Sequence, residues 1–299
     1  MHDTHLIGKH GLKGMKPLMP FKRTRLFGAI LWLSLGIFMN PAYSADNYWR
    51  VQGGVEPLVV GGNIQVREFD IIGTKLDLAD DLGMSRGAVL PFVEVSYHFL
   101  EKNTLSMSFD YMRLSGDTPL KEAINFNGKT FPPGVSLHST SDLYHLQLLY
   151  YRSLKTWKPN HHLNLLIGLD YARLIFDIES ETPIVSQFGG PEDFKQSLPF
   201  PVLGLEGTYQ LSRKTSIEGR LLGMKLNNLN THQQEGGTIF QDETFLNGSL
   251  TTTHAFSDHF SLRASLTYRY FTQNLTSSED GNFFHFSGIG VLISAERRF

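Results

Sequence analysis

Hydrophobicity in this chain recurs with a period of two, in segments of about ten residues or more set between polar connections. Such alternation puts every second side chain on one face of a β-strand and is the mark of a strand with two different surroundings. Residues 260–272 show it most clearly. Phe260, Leu262, Ala264, Leu266, Tyr268 and Tyr270 face one way, and Ser261, Arg263, Ser265, Thr267 and Arg269 face the other. In a soluble β-sandwich the apolar row would be the buried one and the outer row mixed. Here the polar row is the uniform one, so the apolar row is read as facing lipid.

Ten segments of this kind follow one another, at residues 48–55, 89–99, 105–113, 143–154, 163–178, 200–211, 216–226, 245–254, 260–272 and 285–299. A membrane-crossing strand needs ~9–11 residues. The connections alternate strictly. Residues 101–103, 155–161, 212–214 and 257–258 are short turns, and 61–87, 116–139, 179–196, 227–242 and 273–282 are long polar segments, several rich in proline or glycine. An even strand number with short turns at one end and long loops at the other is the arrangement of bacterial membrane barrels. The fold class expected is therefore all-β: a transmembrane antiparallel up-and-down barrel of ten strands, with eight as the alternative if one hairpin stands outside the membrane.

The last segment fits that ring. Ile289, Val291, Ile293 and Ala295 form one row, Gly288, Gly290, Leu292, Ser294 and Glu296 the other, and the chain ends on Phe299. This strand resembles the closing strand of Gram-negative outer-membrane β-barrels, in which the terminal aromatic belongs to the signal read by the barrel-assembly machinery. Arg297 departs from that family's pattern, standing where an apolar residue is usual. The segments G-T-K-L-D-L-A-D-D-L-G (73–83) and F-N-G-K-T-F (126–131) resemble loops of proteobacterial barrels of unassigned activity. The resemblance implies the outer membrane as location, with outer-membrane lipids and lipopolysaccharide as surroundings, and supplies no catalytic residue.

The N-terminus reads as a secretory signal. Lys16, Lys22, Arg23 and Arg25 precede an apolar run at 26–39, followed by small residues up to Ser44 and Ala45. The run is shorter than the ~20 residues of a spanning helix. Residues 1–45 are thus expected to be leader, cleaved near Ser44 or Ala45, and 46–299 the barrel. Met1, Met15 and Met19 are alternative starts. The leader carries six of the 27 basic and one of the 29 acidic residues, so the remainder holds 21 basic and 28 acidic groups, a net charge of −7. That argues against nucleic acid as a partner. With no cysteine, the chain offers neither a lipoprotein anchor nor a disulfide framework nor a thiolate metal site.

The inward rows carry Arg50, Glu94, Asp110, Asp170, Glu206, Glu218, Arg220, Arg263 and Arg269, with His98 and His145. A basic group in hydrocarbon near the midplane costs roughly 2–4 kcal/mol, so these side chains are assigned to the lumen. Counting outward from the turn at Arg213 puts Glu206 level with Arg220, a cross-strand ion pair. Counting from Lys102 puts Glu94 level with Asp110, which would need an arginine from the first or ninth strand between them. The lumen is either a lattice of salt bridges filling a narrow barrel or a polar conduit for small solutes.

The sequence holds no complete catalytic constellation of the kinds that outer-membrane enzymes use. Omptin-type proteases, also ten-stranded, use paired aspartates opposite an Asp/His pair at the outer rim. Asp80 and Asp81 would give one half, but Asp142 and His145 lie on opposite faces of a strand. A lipid hydrolase needs Ser with a partner His, and His138-Ser139 and His254 near Ser257 sit in no nucleophile motif. The adjacent His161 and His162 point to opposite faces, and Asp77, Asp80 and Asp81 lack the full calcium-loop pattern. No metal or cofactor is expected. The sequence reading is a non-enzymatic outer-membrane barrel with a structural or surface-interaction role through its extracellular loops. A narrow channel is the first alternative and an outer-membrane lipid or peptide hydrolase the second; oligomeric state is not legible.

Overall fold

In the computed structural model the described residues are 47–68, 72–100, 102–158, 161–181, 193–233, 237–276 and 280–299. The predicted leader lies outside them. Ten long antiparallel strands form a ring: β1 (Tyr48–Glu68), β2 (Gly87–Phe99), β3 (Asn103–Pro119), β4 (Ser136–Lys158), β5 (His161–Ser180), β6 (Asp193–Gln210), β7 (Thr215–Gln233), β8 (Gly237–Ser257), β9 (Phe260–Thr276) and β10 (Asp280–Arg298). Each strand pairs with its neighbours in sequence, and β10 pairs with β1 from Arg50↔Arg298 to Glu68↔Asp280. Phe299 adds the last rung, exchanging backbone hydrogen bonds with Trp49 at 2.9 and 3.3 Å. No edge is left open, which hydrocarbon requires because it offers backbone groups no partner.

The outward rows form the apolar belt. From Phe260 to Tyr270 along β9 there are ten residue steps. At about 3.3 Å per step and a tilt of about 40° this gives roughly 25 Å of height, matching a barrel's lipid-facing band. Aromatic side chains mark both borders. At the end where the chain terminates, Trp49 packs against Tyr97, Tyr97 against Phe99, and Phe256 against Phe260. At the other end Tyr111 and Tyr144 touch at 4.9 Å, with Tyr171 and Tyr270 at similar heights on their strands. Between these borders the outward rows of the described residues carry no charge; Arg113, Asp142 and Arg173 begin one step above the tyrosines. Arg297 sits at the lower border with its guanidinium over the Phe299 ring, an apolar stem with a charged tip at the interface.

The strands run further than the alternation predicts. β1 continues to Glu68, β3 to Pro119, and β7 and β8 cover most of the segment read as a loop at 227–242. Above the membrane both faces meet polar surroundings, so alternation fades while the hydrogen-bonded ladder continues. The exception is β2, which begins only at Gly87. The notch above it is filled by residues 72–86. Leu76–Asp77 pairs with β1 at Ile64 and Asn63, a tight turn follows, and Met84 bridges to Gly116 of β3. That approach needs glycine: a Cβ on Gly116 would lie 2.2 Å from the Gly83 carbonyl oxygen.

Two outcomes check the wall. An unboiled sample should migrate differently from a boiled one on a denaturing gel, because a closed barrel resists detergent. Leu266→Arg, at mid-belt, should destabilise the protein by roughly 2–4 kcal/mol in urea unfolding from lipid vesicles, while Leu266→Ala should cost clearly less.

Candidate functional site

The lumen is the place where this fold gathers its ionisable groups, and strand parity explains how. Arg50, Gln52 and Glu56 share the inward row of β1, Arg263, Thr267 and Arg269 that of β9, and Asp110 and His145 meet across β3 and β4. Two tiers result.

In the lower tier Arg263 is the hub, with one guanidinium nitrogen 2.9 Å from Glu218 and the other 3.0 Å from Glu296. Arg50 lies 3.6 Å from Glu296 and 3.9 Å from Glu94, and Ser96 donates to Glu94. Arg220 stands 3.9 Å from Glu206 and donates to the Tyr151 hydroxyl at 3.0 Å, while Asn164 donates to Glu206. In the upper tier Arg269 donates to Asp110 at 2.9 Å and to Glu56, which also accepts from Thr267. His145 joins Asp110 at 2.9 Å through Nδ1 and Asp170 at 2.6 Å through Nε2, and Gln147 donates to Asp170. Both ring nitrogens face a carboxylate oxygen, so the ring either carries two protons or meets a protonated carboxyl. Glu56 and Asp170 are fully buried.

All nine charges assigned to the lumen from the sequence stand on inward rows. Glu206 and Arg220 are direct cross-strand partners, whereas Glu94 opposes Ser108 and Asp110 opposes Phe92. In the β2–β3 hairpin Phe99 pairs with Asn103 and Leu100 has a positive φ of 53°, so Glu94 and Asp110 fall two residues apart in register and take separate arginines, Arg50 and Arg269. Ending the first strand at Val55, as the alternation suggests, leaves out Glu56. The available signal was parity, since Arg50, Gln52 and Glu56 belong to one row. Glu296 was placed on the inner row but not counted among the lumen charges.

The expectation of a polar inner face fails in the outer half. Above the upper tier the inward rows become apolar: Leu58, Val60 and Ile64 on β1, Leu174 and Phe176 on β5, Phe200 on β6, Phe271 on β9, and Phe284 and Phe286 on β10, all buried in one cluster. Phe200 packs against Phe245 and Phe271 at ring distances of 5.1 and 5.8 Å. A lumen narrow enough for opposite walls to touch packs like a protein interior. Two voids of about 50 Å³ lie within the lumen, one among these apolar side chains and one among the polar groups of the two tiers. Each has room for one or two water molecules at ~30 Å³ apiece.

The mouth is capped. The predicted loop at 126–131 contains a two-residue hairpin, Ile124–Phe126 against Lys129–Phe131. Asn127 and Gly128 turn it with φ of 49° and 71°, as an Asn-Gly turn with both central residues at positive φ does. Ile124, Phe126 and Phe131 are buried, and Phe126 reaches Phe176 on β5. Thr74 and Asn125 exchange two hydrogen bonds at 2.8 and 2.9 Å, which joins this hairpin to the segment in the β1–β3 notch. Leu76, Leu78, Leu82 and Met84 complete an apolar underside continuous with the upper lumen.

Comparison with known proteins bears on the architecture. No protein-family model and no curated protein sequence matches the chain. Among solved structures, the outer membrane protease OmpT of Escherichia coli aligns with a TM-score of 0.52 at 11% identity, covering 87% of this chain and 99% of its own. The translocator domain of the autotransporter NalP from Neisseria meningitidis aligns at 0.38 with 15% identity over 92% and 96% of the two chains. The outer membrane protein OprG of Pseudomonas aeruginosa gives 0.35 and 9% over 86% and 97%. The fold is that of the Gram-negative outer-membrane β-barrels.

In this outer-membrane barrel the residues weighed for catalysis do not converge. Asp80 pairs with Arg86 at 2.6 Å on the exposed turn. Asp142 points outward, accepts from Tyr111 at 2.5 Å and lies 3.9 Å from Arg113, while His145 points into the lumen. His138 is bonded to Asp117 at 2.6 Å outside, and its neighbour Ser139 is buried inside. His254 meets Thr215. Among the described residues no three or more His, Cys, Asp or Glu side chains are gathered to hold a metal ion.

The upper tier makes a stability prediction. Arg269→Met removes one cation from two buried carboxylates and should cost about 3–5 kcal/mol in unfolding free energy. Adding Glu56→Gln to Arg269→Met should recover part of that loss, because fewer buried charges then lack a counter-charge; equal stability of wild type and Arg269→Met would show that the tier is not coupled.

Proposed function

We propose that this protein is a non-conducting, non-enzymatic barrel of the outer membrane that acts at the cell surface through its folded extracellular cap. The supporting observation is the continuity of apolar packing from the underside of the cap into the upper lumen, with the two ion-pair tiers filling the space beneath. A conduit needs polar, solvated walls along its whole length, and half of this lumen is built as a core. The cap leaves its polar residues outside: Asp80, Asp81, Arg86, Lys121, Glu122 and Pro132-Pro133-Gly134 are exposed. These mixed charges and a rigid proline turn form a surface for contact with other molecules. The chain reaches this location by export behind a leader cleaved near Ser44 or Ala45, with Phe299 as the assembly signal. Its partners are outer-membrane lipids, lipopolysaccharide and the barrel-assembly machinery.

Planar-bilayer recording tests the proposal. Wild-type protein should insert without stable unitary conductance, and removal of residues 120–135 should leave it silent because the ion-pair tiers remain. Stable conductance steps that change on Arg263→Ala would establish the channel instead. Turnover of phospholipid, lipid A or peptide lost on His138→Ala or Ser139→Ala would establish a hydrolase.

A further inference from the structure

Just above the tyrosine border, the outer wall of β7–β10 carries a concavity of about 370 Å³, far larger than the voids in the lumen. Its lining spans four adjacent strands in register: Lys225 opposes Thr244, Thr244 opposes Thr272, Asp242 opposes Asn274, and Asn274 opposes Phe283. These side chains belong to the outward rows, in phase with Leu246, Leu266 and Tyr270. Thr272 and Asn274 are the next two outward positions above Tyr270, so the concavity begins where the hydrocarbon ends. Gln273 and the buried Glu243 of the inward rows also border the concavity, Gln273 donating to Glu243 at 2.9 Å.

We propose that this concavity binds the phosphorylated sugar headgroup of an outer-leaflet glycolipid. The lining offers what a sugar ring with an anionic substituent needs. Two threonine hydroxyls and an asparagine amide can donate to or accept from ring hydroxyls, and a carboxylate can accept from them. The Phe283 ring gives an apolar face for the C–H side of a pyranose; Lys75 lies over that ring, 4.8 Å from its centroid. Lys225 supplies a positive charge for a phosphate. A volume of about 370 Å³ lies within the range of small-molecule sites. Given the membrane placement proposed above, on which this assignment rests, position selects the source. The concavity opens sideways into the headgroup layer, and acyl chains hanging from a bound headgroup would lie along Leu246, Leu250, Leu266 and Tyr268 on the belt below.

The test uses full-length protein in nanodiscs of phosphatidylglycerol with and without added lipopolysaccharide, and native mass spectrometry to count bound glycolipid. Wild type should retain glycolipid. Lys225→Ala and the double variant Asp242→Ala/Asn274→Ala should each retain about tenfold less, whereas Arg173→Ala, above the same border but outside the concavity, should match wild type. Equal retention in all variants overturns the site. A soluble glucosamine phosphate that binds as tightly as the glycolipid overturns the lipid source. Gel heat-modifiability of each variant separates these outcomes from misfolding. A wild-type protein that fails to insert counts against the membrane reading itself; one that inserts but retains glycolipid independently of these residues counts against the headgroup site alone.

Discussion

Every backbone N–H and C=O within hydrocarbon must find its partner inside the protein, and the seam between β1 and β10 is where this chain meets that demand. Seventeen cross-strand partners run along the seam, and the Phe299–Trp49 pair adds a rung below them. Once the ring is closed, the remaining assignments follow from parity. Each strand has one row for lipid and one for the lumen, and a one-residue slip would exchange them. Arg263 or Arg269 placed against lipid would cost roughly 2–4 kcal/mol, so these charges specify register as well as filling space.

The lumen is held by two kinds of interaction, divided by height. In the lower part seven carboxylates (Glu56, Glu94, Asp110, Asp170, Glu206, Glu218, Glu296) face four guanidinium groups (Arg50, Arg220, Arg263, Arg269), and His145 sits where a further cation can stand between Asp110 and Asp170. Such a lattice adds little net stability relative to apolar packing but is costly to break at one member. In the upper part phenylalanines and leucines replace it, and the cap continues their packing outward. The lattice therefore fixes which strand faces which, and the apolar half supplies the burial that holds the cap down.

The wall was readable from sequence because lipid and lumen impose opposite chemistry on alternate residues; Phe260 to Tyr270 states this almost without exception. The extramembrane continuations of β7 and β8 were not, because neither face there is constrained to be apolar. The Glu206–Arg220 pairing could be counted from a tight turn at Arg213. The same counting misplaces Asp110 by two residues because Asn103, read as part of the turn, already pairs with Phe99 in the ladder. The apolar upper lumen escaped notice for a different reason. A row such as Leu58, Val60 and Ile64 next to outward Val55 and Val59 blurs alternation, and two apolar rows look like a weak strand rather than a wall with a core inside it. The Asn127-Gly128 hairpin did have a local signal, a two-residue turn between Phe126 and Phe131, which the long-loop reading obscured.

On the proposed reading of a filled, non-conducting barrel, the division of labour between wall and lumen also decides where activity resides. The belt must remain apolar and the lumen must remain filled, so substitutions in either are paid in stability. Freedom to carry chemistry is left to surfaces outside both constraints. One is the cap, whose underside is committed to packing and whose Asp80, Arg86 and Pro132-Pro133 side is not. The other is the band above Tyr270, where the strands continue past the membrane and outward residues such as Thr272 and Asn274 answer neither to hydrocarbon nor to the core. Extending strands instead of ending them at the membrane border gives that band a rigid backbone, so polar side chains there are held at fixed spacing across four strands. A flexible loop of the same composition would lose conformational entropy on ordering around a ligand. The long strand extensions are therefore the feature that makes a headgroup-level site on this wall physically economical.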